Sequence, residues 1–166
     1  LDLCAAPGGK STQAASKLEN GLLVSNEIIP SRCKILTGNI ERMGIKNAIT
    51  TCADVKRLSG LFGEEFDLVI VDAPCSGEGM FRKDETAINE WSLQNVKLCA
   101  ERQDEILSYA KDFVSEGGYL LYSTCTYSLE ENEMCFDKFL CENKNFELVE
   151  VNEKVRNATA DGVFFD

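Results

Sequence analysis

The 166 residues contain no histidine. Ser-His-Asp and Cys-His catalysis are therefore excluded, together with imidazole metal ligands. Any base in this protein must be a carboxylate, a lysine or a thiolate. No apolar run approaches the length of a membrane span, and there is no signal peptide, low-complexity tract or internal repeat. A soluble, cytoplasmic protein without membrane contact is expected. The eight cysteines stand singly at 4, 33, 52, 75, 99, 125, 135 and 141, with no Cys-x-x-Cys pair, which argues against a zinc ribbon or a thioredoxin-like site. No structural metal is expected.

Basic residues are scarce in one half of the chain. Residues 1–83 carry ten Lys/Arg and ten Asp/Glu, whereas 84–166 carry seven and eighteen, so the net charge of −11 lies in the second half. An acidic surface repels nucleic-acid phosphates, so contacts to such a partner must be local or lie outside these residues. Most of the acidic side chains read as solvated helix faces.

The length suits one domain spanning 1–166. Leu1 to Cys4 reads as the tail of a strand, a sign of a fragment truncated at both ends. Gly8-Gly9 opens a helix through about Leu18, Leu22 to Glu27 is a strand, and Ser31 is the expected N-cap of a helix through Met43. Ala48 to Cys52 and Phe66 to Val71 are further strands, the latter apolar enough to be buried on both faces. A loop from Ser76 to Asp84 leads to a helix from about Leu93 to Val114, with Val96, Leu98, Cys99, Ile106, Leu107, Ala110, Phe113 and Val114 on its apolar period. Gly117-Gly118 ends that helix before the strand Tyr119 to Tyr122. Ser128 and Glu131 have the spacing of a capping box for a helix through about Cys141, and Phe146 to Val151 reads as a last strand. The alternation predicts a doubly wound, mostly parallel α/β sheet with helices on both faces.

Two cysteines follow strands directly: Cys75 in Asp72-Ala73-Pro74-Cys75 and Cys125 in Ser123-Thr124-Cys125-Thr126-Tyr127. A right-handed crossover makes their strands parallel neighbours, with both thiols on the carboxyl rim where open α/β sheets bind ligands. Cys33, Cys52, Cys99, Cys135 and Cys141 read instead as small buried hydrophobes.

Cys4-Ala5-Ala6-Pro7-Gly8-Gly9-Lys10-Ser11 has the position of a nucleotide-binding loop, and two readings compete. Gly9-Lys10-Ser11 matches the end of a P-loop, with Asp72 in the place of a magnesium-holding acid. A P-loop, however, needs glycine where Cys4 stands, and Pro7 removes a phosphate-binding amide. The other reading is a Rossmann-like loop for a cofactor without a tightly held polyphosphate. Glu27, at the end of a strand, can accept both hydroxyls of a ribose, and Asp54 can face an adenine amino group; either carboxylate alone also fits a loop or a helix cap. S-adenosylmethionine, cationic and lacking phosphate, suits such carboxylates.

These residues resemble the RNA 5-methylcytosine methyltransferases of the Nop/Sun family. Asp2 to Lys10 is similar to that family's first cofactor motif, and Asp72 to Gly77 and Ser123 to Tyr127 to its two cysteine motifs; Glu130 to Glu133 continues the match. Glu78-Gly79-Met80-Phe81-Arg82-Lys83-Asp84 resembles the RsmF-type branch, which acts on small-subunit ribosomal RNA. The resemblance covers residues 1 to about 150. It implies a Rossmann-like methyltransferase fold, S-adenosylmethionine as cofactor and RNA as partner; a monomer is expected. Cofactor contacts are expected from Cys4, Ala5, Ala6, Pro7, Gly8, Gly9, Lys10, Glu27, Asp54 and Asp72. The resemblance also makes Cys125 the nucleophile at cytosine carbon 6 and Cys75 the thiol that assists product release, with Lys10 reaching the base. Asp72 is expected at the ring nitrogen and amino group, where it would have to donate a proton to stabilise developing charge. Arg82 and Lys83 are candidates for RNA phosphates. The family's segment before the first strand is absent, and Gly162 to Phe165 matches only the start of its closing hairpin. The rival readings are a DNA cytosine methyltransferase, which needs no Thr-Cys thiol, a non-catalytic S-adenosylmethionine-binding module, and the P-loop-like NTPase.

Overall fold

A computed structural model describes residues 1–160. They form α1 (Gly9–Ala15), β1 (Leu23–Asn26), α2 (Pro30–Arg42), β2 (Ala48–Thr51), α3 (Val55–Ser59), β3 (Phe66–Asp72), α4 (Glu85–Glu90), α5 (Leu93–Ala110), β4 (Val114–Ser123), α6 (Glu133–Glu142) and α7 (Glu153–Arg156). The chain divides into two compact units, Leu1–Pro74 with Glu105–Thr124, and Cys75–Asp104 with Cys125 onward.

The first unit holds the sheet. β1 pairs with β2 and β3 with β4, all in parallel. Between the two pairs lies the N-terminal segment, where Asp2 bridges Ser25 on one side and Ile70 on the other. Its amides complete the ladder: Asp2 N–H donates to Val24 O at 2.8 Å and Leu3 N–H to Ile70 O at 2.9 Å. The expected strand tail at Leu1 to Cys4 is thus in the middle of the sheet. The interior is built from Leu3, Val24, Leu36, Leu58, Val69, Val71, Leu107 and Phe113, all nearly inaccessible. Burying a side chain such as Phe113 contributes roughly 1.5–3 kcal/mol.

Helix α2 buries Cys33, Leu36 and Ile40 on one stripe. Its start differs from expectation. Pro30 occupies the first turn after Ile29, because a proline lacks only an amide that would be unpaired there, so Ser31 is inside the helix and not its cap. The far end closes on Gly44 at φ +67°, with Ile45 N–H donating to Ile40 O at 3.3 Å in a Schellman arrangement. Helix α1 also stops at Ala15, short of Leu18.

Gly117-Gly118 does not separate a helix from a strand. α5 ends at Ala110, a single 3₁₀ turn covers Lys111–Phe113, and β4 begins at Val114. The ladder pairs Phe66 with Val114 and then Leu68 with Tyr119, so the glycines lie in a bulge, where Gly117 takes φ +75°. β3 is less enclosed than its sequence suggests: Val69, Ile70 and Val71 are buried, but Leu68 is exposed.

In the second unit, Phe139 packs on Phe136 and Phe146 with ring centroids 6.1 and 5.2 Å apart. Val96, Cys99, Gln103 and Cys135 are buried, whereas Leu98, expected on the apolar stripe, is exposed. Cys52 and Cys141 are exposed as well, unlike Cys33, Cys99 and Cys135. Residues 146–151 form no strand; beyond Phe146 they are exposed, and β4 pairs only with β3 among the described residues. The expected hairpin start at Gly162 to Phe165 lies outside the described residues. Half of the predicted capping box forms: Glu131 N–H donates to Ser128 Oγ at 3.3 Å, but α6 begins only at Glu133 because the Glu131 side chain is used elsewhere.

Candidate active site

In the first unit the glycine loop is held from below by side chains. Asn26, at the end of β1, donates from Nδ2 to Leu3 O at 3.1 Å and Ala53 O at 2.9 Å, while its Oδ1 accepts from the Thr51 hydroxyl and Ala53 N–H. One amide group thereby fixes the carboxyl ends of three neighbouring segments. From α2, Arg32 donates to Ala6 O and Asn39 to Pro7 O, each at 2.8 Å. Gly8 turns the chain at φ +109°, a conformation that favours glycine, and a Cβ there would press on Leu36 Cδ1 at 3.1 Å. Sequence reasoning missed Asn26, Arg32 and Asn39. The available signal was a polar residue ending an otherwise apolar strand.

Glu27 is almost fully buried. Its Oε1 accepts from Ile29 N–H at 2.9 Å, and its Oε2 lies 3.4 Å from Arg32 Nη1. Asp54 stands past β2 as expected, where its Oδ1 caps α3 by accepting from Arg57 N–H at 2.6 Å. The electrostatic character of this corner is visible at Cys4, whose thiol is pushed up to about 12, first by burial and then by the negative charges of Asp2, Glu27 and Asp72. Three carboxylates around one loop, against Arg32 and the Lys10 ammonium that pairs with Asp72, leave this corner net negative, which suits a cation and disfavours a polyphosphate. A sulfonium cofactor bearing ribose hydroxyls fits these residues; the P-loop reading does not.

At the end of the β3–β4 ladder Asp72 and Ser123 are register partners. Lys10 Nζ lies 2.6 Å from Asp72 Oδ2, and the Ser123 hydroxyl donates to Asp72 Oδ1 at 2.8 Å. Both carboxylate oxygens act as acceptors here, one from Lys10 Nζ and one from the Ser123 hydroxyl. Ser123 was not anticipated, although it opens the second cysteine motif.

The second unit holds the thiols. Cys75 Sγ and Cys125 Sγ are 3.2 Å apart, and Cys125 N–H donates to Cys75 Sγ at 3.4 Å. Cys125 is exposed and Cys75 half-buried. Burial, followed by the contact with the Cys125 side chain, pushes Cys75 up to about 12, so it carries its proton at neutral pH. The loop bearing them is braced by Glu131, which is fully buried and accepts from Ser76 N–H and from Gln103 Nε2, each at 2.9 Å. Arg82 and Lys83 are exposed. Among the described residues no cluster of three metal-type side chains occurs, and no helix is long and apolar enough to cross a membrane.

The profile of the 16S rRNA methyltransferase RsmB/F family matches residues 1–163. The chain belongs to that family. It is 47% identical over 134 residues to the ribosomal RNA small subunit methyltransferase F of Vibrio parahaemolyticus, covering 80% of this chain and 28% of the relative. It is 46% identical over 144 residues to the protein of the same name in Psychromonas ingrahamii, covering 84% of this chain and 30% of the relative. The chain thus spans under a third of the length of these relatives. Among solved structures, PH0851 superposes with a TM-score of 0.86 at 33% identity, over 92% of this chain and 35% of that one. NSun6 from Pyrococcus horikoshii, determined with the S-adenosylmethionine analogue SFG, gives 0.75 at 32% identity, over 86% and 36%. The fold is that of the S-adenosylmethionine-dependent methyltransferases, as the resemblance implied, and the F-type relatives agree with the motif from Glu78 to Asp84.

Proposed function

We propose that this chain is the catalytic part of an enzyme that methylates carbon 5 of a cytosine in small-subunit ribosomal RNA, through a covalent bond between Cys125 and carbon 6 of the base. The observation that carries the reading is the unequal thiol pair. Cys125 is exposed and free to meet a base, while its neighbour 3.2 Å away is held protonated.

Carbon 5 of cytosine is a poor nucleophile until a thiolate adds to carbon 6. The Cys125 sulfur forms that bond, and the electron pair of the 5,6 double bond moves into the ring. Lys10, anchored on Asp72, supplies the cation and proton that stabilise this charge. In this role Asp72 orients Lys10 instead of donating a proton itself. S-adenosylmethionine supplies the electrophilic methyl group, and Gly8, Gly9, Glu27 and Asp54 are the residues that would hold it, with Cys4, Ala5, Ala6 and Pro7 forming the loop behind them. After transfer a solvent water takes the carbon-5 proton, the ring returns its added proton to Lys10, and the double bond re-forms as the carbon–sulfur bond breaks. Cys75 gives its proton to the departing Cys125 sulfur and regains one from solvent.

RNA carrying 5-fluorocytosine blocks the last proton removal and tests the assignment in the full-length protein. Cys125→Ala is expected to abolish the denaturation-stable adduct, and Cys75→Ala to retain adduct on natural RNA because release fails. Adduct formation by Cys125→Ala with its loss in Cys75→Ala would assign attack to the other thiol and overturn the reading.

A further inference from the structure

Little apolar burial holds the Cys125 loop. Cys125 is exposed and Tyr127 is 80% exposed, leaving Thr126 as the only buried residue of the three. Polar bonds hold them instead: the Cys125 amide donates to Cys75 Sγ, Asn132 Nδ2 donates to Thr126 O at 3.2 Å, and two consecutive residues on the other cysteine loop take the peptide from the Cys125 carbonyl to the Tyr127 amide. Glu78 Oε2 accepts from Tyr127 N–H at 2.9 Å and from the Thr126 hydroxyl at 3.1 Å. Gly79 N–H donates to Cys125 O at 2.7 Å. The approach is closed to any side chain, since a Cβ at position 79 would lie 2.5 Å from that carbonyl oxygen.

The hydroxyl of Thr126 fixes the direction of the remaining bonds. It has one proton and two lone pairs. Ser128 N–H donates to it at 3.3 Å, its own proton goes to Glu78, and the Ser76 hydroxyl, 3.0 Å away, donates to the second lone pair. Every site on the Thr126 oxygen is filled, and the chain of bonds ends on the Glu78 carboxylate, which no neutral side chain reproduces fully.

Given Cys125 as the nucleophile proposed above, the geometry points to Glu78 and Gly79 as positioning residues for it. They grip the peptide immediately after the thiol, from the Cys125 carbonyl to the Tyr127 amide, and help set where the sulfur stands relative to Cys75 and the incoming base. Neither side chain meets the reacting atoms. Their work is to keep a solvent-exposed nucleophile in one place.

The test uses the full-length protein with Glu78→Ala, Glu78→Gln and Gly79→Ala. Misplacing a reacting group by about 1 Å costs roughly 100-fold in rate. Glu78→Ala and Gly79→Ala are expected to lower kcat and the rate of adduct formation on 5-fluorocytosine RNA by about that factor, with KM for RNA and the dissociation constant of S-adenosylmethionine within about twofold. Glu78→Gln keeps one acceptor oxygen for the Tyr127 amide and is expected to recover most of the rate. A geometric readout needs no RNA: diamide, itself reduced to a hydrazine, oxidises two adjacent thiols to a disulfide. Closure between Cys75 and Cys125 should slow at least tenfold in Glu78→Ala because the sulfurs no longer stay in contact. Wild-type rates of adduct formation and diamide closure in Glu78→Ala would overturn the inference, as would a raised KM with kcat unchanged. If wild-type protein forms no adduct, the nucleophile reading fails, and diamide closure alone decides whether the clamp exists. Unfolding of Gly79→Ala would leave the two Glu78 variants to decide.

Discussion

Cys75 should react with electrophiles far more slowly than an unperturbed thiol, by an amount that the structure sets. Cys75 is raised to about 12 from an ordinary 9.0, with burial as the largest cause and the Cys125 side chain second. Three pKa units leave about a thousandfold less thiolate at pH 8, and only the thiolate is alkylated. Iodoacetamide labelling at pH 8, quenched over time and read cysteine by cysteine by peptide mass spectrometry, measures this directly. Cys52 and Cys141 are exposed and serve as internal references. Cys75 should label about three orders of magnitude more slowly than they do. In Cys125→Ala the sulfur contact is lost, but burial persists and the amide at 125 still donates. Cys75 should then quicken by no more than about tenfold, since the largest cause remains. Labelling of Cys75 as fast as Cys52 in the wild-type protein would refute the assignment of Cys75 as the protonated partner, and with it the division of roles between the thiols.

Glu131→Ala removes the buried oxygen that Ser76 N–H and Gln103 Nε2 both use. Losing a buried partner costs about 1–3 kcal/mol per group, so urea unfolding should show a loss of roughly 2–6 kcal/mol, with Glu131→Gln intermediate. A loss below about 0.5 kcal/mol, the size of an ordinary surface effect, would mean that the carboxylate does not brace the loop. Alkali should destabilise the protein for a separate reason. Cys4 and Cys75 are raised to about 12, so above pH 9 the unfolded thiols lose protons that the folded ones keep. The unfolded state then binds fewer protons, and stability falls as pH rises from about 9 towards 12. Urea midpoints between pH 8 and 10.5 should decline, less steeply in Cys75→Ser; a flat profile would contradict the buried, protonated state of these thiols.

The parts of this site that were legible in the sequence are those where one residue type does one job at a strand end. Asp72, Cys75 and Cys125 follow apolar runs whose parallel pairing the crossover rule supplies, and Gly8 marks a turn at positive φ that favours glycine. What stayed hidden depends on partners far along the chain. Glu131 has the spacing of a capping box, and its amide does bond Ser128, but its carboxylate serves Ser76, 55 residues away. Local spacing cannot reveal which of two uses a buried carboxylate takes. Gly117-Gly118 likewise reads as a terminator, because a bulge is defined by the partner strand and not by the glycines. Residues 146–151 are rich enough in apolar and β-branched side chains to read as a strand, yet a strand exists only where another edge accepts its hydrogen bonds.

The contrast between the thiols follows the same division. Both cysteine motifs place a thiol just after a strand, and nothing in either motif states which sulfur is to be shielded. The asymmetry comes from how the two loops bind each other. The Cys125 amide points at the Cys75 sulfur, and the Cys125 carbonyl is taken by Gly79. With both backbone groups engaged against the first loop, the Cys125 side chain remains exposed, while Cys75 is half-buried. Pro74 before Cys75 adds no amide to compete for that contact. An exposed thiol and a buried, proton-bearing one thus arise from two similar motifs through the burial that the packing of the two loops imposes on Cys75. Moving the nucleophile to position 75 would require rebuilding the Glu78-Gly79 turn as well.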